Sequence, residues 1–343
     1  MMNDPTHGAG AAHADADANA HAGAAAKARL QARVRTLRHE AQRIASIELV
    51  PVQGEVFPPF TPGAHLDLHL PNGLTRSYSL VNAPEDRGRY VIGVLHDEKS
   101  RGGSRWLHEQ LRCGATLSIG VPRNHFALDE AAASTLLVAG GIGVTPMLCM
   151  YRRLRERERA AQFVYCARSR EQAAFLDELA ALGGDALLHF DDEHDGRPFD
   201  LAACLARQPK DVHAYCCGPG AMLDAFQMAC GQAGIANVHI ERFAAAAPVE
   251  RAQRSGYTVE LARSGRTLFV PAGKALLDVL LDAGVEVEYS CREGLCGACQ
   301  TRVLSGCVDH RDSVLTQSER AANDAMMICV SGAQSGTLVL DLA

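Results

Sequence analysis

The chain has 343 residues, 47% hydrophobic and 22% charged, which is room for two or three domains with cores of their own. A net charge of −6 argues against a nucleic-acid binder, and no apolar run approaches the roughly 18 residues of a membrane helix. Met1 to Ala12 has no apolar signal-peptide core either, so a cytoplasmic protein that binds neither nucleic acid nor membrane is expected.

Residues 1–27 are Ala, Gly, Asp and His without a hydrophobic period, and a disordered tail is expected there. Its His7, His13 and His21 are at most weak metal ligands.

Residues 28–133 read as short strands at 33–37, 43–51, 65–70, 75–80 and 90–96, separated by Pro, Gly and Asn turns, with one helix at 104–111. That pattern predicts a small antiparallel β-barrel. Strand 75–80 carries Arg76-Ser77-Tyr78-Ser79. An Arg can hold a phosphate, a Tyr can stack on a flat ring and a Ser can hydrogen-bond to it. Arg101-Gly102-Gly103-Ser104 leads into the helix, where free N–H groups accept an anion. Each motif alone also fits a solvated arginine. Together in one small barrel they read as a site for a flavin phosphate and ring.

Residues 134–246 change rhythm. Strands at 135–139, 162–167, 186–190, 212–217 and 238–241 alternate with helices at 146–159, 171–182, 200–207 and 221–233. Such alternation predicts an α/β domain with a doubly wound parallel sheet. The first strand runs through Gly140-Gly141-Ile142-Gly143-Val144-Thr145-Pro146. Thr145 suits an N-cap and Pro146 the first helical position, and a helix start behind a glycine turn accepts a pyrophosphate. Cys217-Gly218-Pro219-Gly220 is a second turn at a strand's C-terminal end, where open α/β sheets bind ligands. Arg168-Ser169-Arg170 stands where NAD-selective sites place an acid. Two arginines there admit a 2′-phosphate, and equally suit a solvated pair.

Residues 247–255, after Ala244-Ala245-Ala246-Ala247-Pro248, read as a linker. Residues 256–343 form a third, α+β unit. It has a hairpin of 257–262 and 266–271 about Ser264-Gly265, a helix at 275–283, a cysteine loop and a last strand at 337–342.

That loop holds three of the twelve cysteines. Cys291, Cys296 and Cys299 are spaced Cys-x4-Cys-x2-Cys, and Cys329 follows after 29 intervening residues. This is plant-type 2Fe–2S spacing. Iron in such a cluster takes soft thiolate ligands. Gly294 and Gly297 let the backbone wrap closely and aim N–H groups at sulfur. A structural zinc site more often uses paired Cys-x2-Cys spacings. The other eight cysteines, at 113, 149, 166, 204, 216, 217, 230 and 307, are expected to be small buried hydrophobes, with Cys307 the one decoy ligand.

On these residues the chain resembles the phthalate dioxygenase reductase family, which includes vanillate O-demethylase oxidoreductase subunits, over about residues 30–343. The stretch Asp309-His310-Arg311-Asp312-Ser313-Val314-Leu315-Thr316 is similar to the one before that family's last cluster cysteine. The resemblance implies an FMN barrel, an NAD domain and a β-grasp ferredoxin domain, in that order. It assigns Arg76, Tyr78, Ser79, Arg101, Gly102, Gly103 and Ser104 to the flavin. It assigns Gly140, Gly141, Gly143, Thr145, Pro146, Arg168, Cys217, Gly218 and Pro219 to the dinucleotide, and the four cysteines to the cluster. It favours FMN over FAD, and NADH over NADPH despite Arg168 and Arg170. Ser79, Thr145 and Cys217 then surround the site of hydride transfer. Electrons pass to a separate Rieske-type terminal oxygenase, the reductase itself being a monomer. The alternatives are a free-standing NAD(P)H-dependent flavin or ferric reductase, and a cluster-based redox sensor.

Overall fold

The computed structural model describes residues 29–244 and 255–343 apart from 55, 99 and 185. The tail expected at 1–27 and, but for Ser255, the linker expected at 247–255 lie outside the described residues.

The first unit contains β1 (Arg29–Ala41), β2 (Ile44–Pro51), β3 (His65–His69), β4 (Thr75–Ser79), β5 (Tyr90–Leu95), α1 (Gly103–Glu109) and β6 (Thr116–Gly120). Its six strands pair antiparallel in the order β4-β3-β6-β1-β2-β5. A bridge between Leu80 and Ile92 joins the end of edge strand β4 to the other edge, β5. The expectation missed β6, a five-residue strand in which alternation is confined to Thr116–Ile119 because Gly120 is buried as well. It also shortened β1, which runs for 13 residues because it pairs with both β2 and β6.

The second unit contains β7 (Thr135–Gly140), α2 (Val144–Glu156), β8 (Ala161–Ala167), α3 (Leu176–Ala181), β9 (Leu187–Phe190), α4 (Leu201–Leu205), β10 (His213–Cys217), α5 (Gly220–Ala233) and β11 (Val238–Glu241). The strands are parallel in the order β11-β10-β7-β8-β9. Leu137 and Ala139 join the core under α2, and Leu136 and Val138 the core under α4 and α5. Both faces of β7 are therefore buried, which is why it reads as an unbroken apolar run. Strand order reverses between β7 and β10, opening a crevice at their C-terminal ends.

The helix expected at 171–182 is instead a 3-10 turn, Arg170–Gln172, followed by α3. Between them the Ala174 N–H donates to the Tyr165 hydroxyl at 3.0 Å, and Phe175 turns left-handed with φ 61°. Burial of the Phe175 ring outweighs local helix preference there.

The third unit contains β12 (Tyr257–Leu261), β13 (Arg266–Val270), α6 (Leu276–Asp282), β14 (Gln300–Ser305), β15 (Val308–Asp309), α7 (Gln317–Ala322), β16 (Ala325–Met327), β17 (Gly332–Ala333) and β18 (Thr337–Leu340). A mixed sheet runs β13-β12-β18-β14-β16, with only β12 and β18 parallel. The expectation left out β14 to β17 and α7. Thr316 and Glu319 form a capping box at the start of α7.

The third unit has a core of its own. The first two share one, since Ile44, Val81 and Phe126 pack with Val144, Met147 and Tyr151. Cys149 of α2 reaches into the first unit's core, its Sγ 3.3 Å from the Asn82 carbonyl oxygen. Cys204, Cys216, Cys217 and Cys230 are buried as expected, and Cys166 is partly so. Cys113 and Cys307 are exposed, contrary to expectation. Each sits beside a left-handed glycine turn, Gly114 and Gly306, and turns run over the surface. No helix among the described residues is long and apolar enough to cross a membrane.

Candidate functional site

The cysteine loop has the parts its spacing predicts. Cys296, Cys299 and Cys329 are buried and Cys291 partly so. Their side chains neighbour one another in the order Cys296, Cys291, Cys329, Cys299. Backbone N–H groups of Glu293 and Leu295 donate to Cys291 Sγ at 3.3 and 3.4 Å, and that of Cys291 donates to Cys296 Sγ at 3.4 Å. Gly294 and Gly297 are left-handed, with φ 69° and 70°. A Cβ at Gly294 would meet Val330 at 2.6 Å, so only glycine fits that wrap. The 309–316 stretch braces the loop from behind. Asp312 Oδ2 accepts from the N–H groups of Val314 and Leu315, and the Ser313 N–H donates to the Gly294 carbonyl at 2.8 Å.

Cys296 is pushed well above the usual thiol range by Cys291 and then by burial. Cys329 is pulled down by Cys291 but pushed up by Cys299 and burial, to about 12. Crowded thiols of this kind need cationic iron to ionise. Among the described residues no three His, Cys, Asp or Glu side chains are gathered around a single metal position. The chain of four thiols fits a binuclear cluster, which takes two per iron.

Beside this loop lies the first unit's motif. Alternation on β4 puts Arg76 and Tyr78 on one face and Ser77 and Ser79 on the other. The Arg76 side chain covers the start of α1, where a Cβ at Gly103 would come within 2.7 Å of its Cγ. Gly102 turns left-handed there, with φ 99°, and Ser104 Oγ donates to Ser100 Oγ. Burial and then the Arg101 charge hold the Arg76 guanidinium below its usual range. An anion between the two arginines relieves that repulsion, so the donor set fits a phosphate. Arg101 Nη2 also pairs with Glu293 of the cysteine loop at 2.7 Å.

The two glycine turns of the second unit interlock at the strand reversal. A Cβ at Gly140 would lie 2.5 Å from Met222 Sδ and 2.8 Å from Pro219 Cδ, and one at Gly143 only 2.1 Å from the Cys217 carbonyl oxygen. A cleft of about 2170 Å³ opens on this clasp, lined by Gly140, Gly141, Gly143, Gly218, Pro219 and Arg168 among others. The backbone is thus bare where a pyrophosphate needs close approach. Thr145 is not the N-cap. The 3-10 turn Gly141–Gly143 runs straight into α2, which leaves no extended residue to cap it. Thr145 is the second helical residue and its hydroxyl donates to the Ile142 carbonyl at 3.0 Å. Pro146 is the third, still in the first turn where an N–H has no partner to lose.

Ser79, Thr145 and Cys217 do not line the cleft and are all buried. Two of them meet through a residue not singled out by sequence. Ser79 Oγ donates to Glu241 Oε2 at 3.4 Å, and Glu241 pairs in register with Cys217 across β10 and β11. The available signal was an acid ending the otherwise part-apolar strand Val238–Glu241. Burial raises the Glu241 carboxyl to about 8, against the opposing hydrogen bond from Ser79. Burial, then Glu241, holds Cys217 as a neutral thiol, so it serves by shape and not as a nucleophile. Thr145 Cγ2 closes against the first unit, 2.6 Å from where a Cβ of Gly93 would stand.

Glu241 makes stability depend on pH. Its folded pKa lies above the unfolded value, so the stabilisation is complete below about 4.5 and is lost as pH rises through about 8. Discounted for partial solvent contact, the loss is about 2–3 kcal/mol. Thermal melts from pH 5 to 9 should show Glu241→Gln gaining on the wild type as pH rises. Parallel curves would rule the buried acid out.

Comparison with known proteins matches two stretches of the chain to described domains. Residues 259–334 match a 2Fe-2S iron-sulfur cluster binding domain, and 137–228 an oxidoreductase NAD-binding domain. The chain is 49% identical to phenoxybenzoate dioxygenase subunit beta of Ectopseudomonas oleovorans, over 90% of this chain and 96% of that one. It is 42% identical to a vanillate O-demethylase oxidoreductase of Pseudomonas sp. (strain HR199 / DSM 7063), over 91% of this chain and all of the other. The solved structure of phthalate dioxygenase reductase superposes with a TM-score of 0.67 at 40% identity, covering 92% of this chain and 98% of that one. An intact type IV self-sufficient cytochrome P450 monooxygenase superposes with a TM-score of 0.85 at 38% identity. There this chain spans 92% of its own length but 41% of the larger protein. Matched at 40% identity or more along nearly the full length of both chains, the chain belongs to the phthalate dioxygenase reductase and vanillate O-demethylase oxidoreductase family.

Proposed function

We propose that the protein is the reductase component of a multicomponent oxygenase, passing electrons from NADH through FMN and a 2Fe–2S cluster to a Rieske-type oxygenase on a separate chain. The observation that carries this reading is the seating of the cysteine loop on the Arg76 side of the first unit, where Arg101 reaches Glu293. Residues 28–133 form the flavin unit, read as a barrel because its sheet edges meet. Residues 134–246 form the NAD unit. Residues 256–343 form a β-grasp ferredoxin unit, with α6 across the mixed sheet. The protein works as a cytoplasmic monomer.

When bound, NADH supplies a hydride, FMN takes both electrons and releases them singly, and the cluster carries one at a time. The chain's own residues do the rest. Gly140, Gly141, Gly143, Gly218 and Pro219 bring bare backbone to the pyrophosphate, backed by the positive end of α2. Arg76 and Arg101, with Gly102, Gly103 and Ser104, hold the FMN phosphate, and Tyr78 offers its ring to the flavin. Glu241 holds the Ser79 hydroxyl toward the reacting edge and keeps a proton there near neutral pH. Thr145 and Cys217, buried behind the glycine clasp, keep its far side neutral and closed to water. Cys291, Cys296, Cys299 and Cys329 ligate the cluster. Asp191, which follows β9, lines the same cleft as Arg168. It supplies the acid that β8 lacks for a ribose hydroxyl, which supports NADH over NADPH.

The test is an anaerobic titration of purified protein with NADH and with NADPH, followed in the visible. Flavin and cluster should bleach together with NADH at a far lower concentration than with NADPH. Equal potency would overturn the nucleotide choice, and no flavin signal the whole reading. The likeness to part of a self-sufficient P450 supports a second reading, a haem protein as acceptor.

A further inference from the structure

The cysteine loop meets the first unit at a second place, away from Arg101. His65, at the start of β3, and Arg123, beyond β6, exchange both backbone hydrogen bonds, at 2.8 and 2.9 Å. That pairing fixes where the Arg123 side chain starts. Its Nη2 reaches Asp67 Oδ2 at 2.8 Å, and Ser77 Oγ donates to the other Asp67 oxygen at 2.7 Å. Asp67 is 3% exposed and held from both sides, whereas the Arg123 side chain is only partly covered, so this is a half-enclosed ion pair.

The cysteine loop comes down on the same spot. The His125 ring lies where a side chain at position 297 would be, with Nε2 2.2 Å from the Cβ that Gly297 lacks. The His65 ring lies against the Cys296 backbone and 5.8 Å from the His125 ring, centroid to centroid. Arg123 lies two residues before His125, whose ring sits on Gly297 next to Cys296, and Asp67 is bound to Arg123, so both charges lie within electrostatic reach of Cys296. Two fixed opposite charges from one domain therefore stand beside a cluster ligand of another.

We propose that the Asp67–Arg123 pair tunes the cluster across the domain interface, Arg123 favouring the reduced cluster and Asp67 holding Arg123 in place while partly cancelling it. The proposal rests on the reading of the four cysteines as cluster ligands. An added electron makes the cluster more negative by one charge. A guanidinium nearby lowers the energy of that state and a carboxylate raises it, and the partial burial of both side chains weakens solvent screening. Both are positioning residues that act through the surroundings of Cys296. Because they belong to the first unit, the cluster's potential depends on the docked arrangement and not on the ferredoxin unit alone.

The experiment is a reductive titration of the holoprotein, with the reduced cluster counted by its electron paramagnetic resonance signal against a reference dye. Arg123→Gln should lower the ratio of reduced to oxidised cluster at fixed dye potential about tenfold, and Asp67→Asn should raise it by a similar factor. The double variant should return toward the wild type, and Arg123→Lys should stay close to it. Iron and flavin content and circular dichroism verify folding. If Arg123→Gln loses the cluster, Asp67→Asn and Arg123→Lys still decide the matter. Shifts of the same sign, or none, with a full cluster signal would overturn the proposal alone. A wild-type holoprotein without that signal would overturn the cluster reading beneath it.

Discussion

Replacing Cys296 with serine removes the cluster's visible absorption and lowers NADH-driven cytochrome c reduction by about two orders of magnitude, while ferricyanide reduction by NADH persists. Serine is close to cysteine in size, so the loop keeps its shape, but its hydroxyl ionises reluctantly and is a hard ligand for iron. Cys296 sits 3% exposed between the Cys291 N–H and the first unit, so no water or neighbouring thiol takes its place. Ferricyanide draws electrons from the flavin directly, whereas cytochrome c is expected to draw them from the cluster. Full-rate cytochrome c reduction in the variant would show that the order of carriers is wrong.

Gly143→Ala should be the most damaging single change in the second unit. The added methyl would stand 2.1 Å from the Cys217 carbonyl oxygen, and the first atoms it meets all belong to backbone. That backbone lies at the end of β10, paired with β7 on one side and β11 on the other, and cannot step aside without breaking ladder bonds. A loss of about 3 kcal/mol in stability is expected. The NADH dissociation constant should rise about tenfold or more as the two turns are pushed apart. Thermal melts and nucleotide titration measure both effects. Gly141→Ala is the control, since its Cβ meets nothing within 4 Å and only its φ of 54° resists, at about 1 kcal/mol. Equal damage from the two would mean that the clasp is not what matters.

Features that repeat a local chemical rule were legible in the sequence. The cysteine spacing, the glycine turns after β7 and β10, and the parallel α/β rhythm all follow from contacts within a few residues. What escaped depends on partners far along the chain. Strands β6 and β14 are short, and each gains its place from neighbours distant in sequence. The break before α3 follows from where Phe175 is buried. Glu241 looks like any surface acid until β11 is laid beside β10 and Ser79 is brought to it from the first unit. The capping box Thr316–Glu319, by contrast, rests on four adjacent residues and needs no distant partner.

The apolar packing between the first two units bears on how such reductases are shuffled in evolution. Cys149 and Met150 of α2 press into the first unit, Met150 Cε lying 2.9 Å from where a Cβ of Gly63 would be. Ile44, Val81 and Phe126 in turn complete the second unit's core. A gene fusion that joins the whole chain to another enzyme leaves these faces covered. Recombination near residue 134, pairing the first unit of one reductase with the second unit of another, uncovers greasy surface on both pieces unless the two faces changed together. The first two units therefore keep these faces covered only when they are exchanged together. The third unit has a core of its own, but its cysteine loop rests on Arg101 and His125 of the first unit, so a traded copy must keep those contacts.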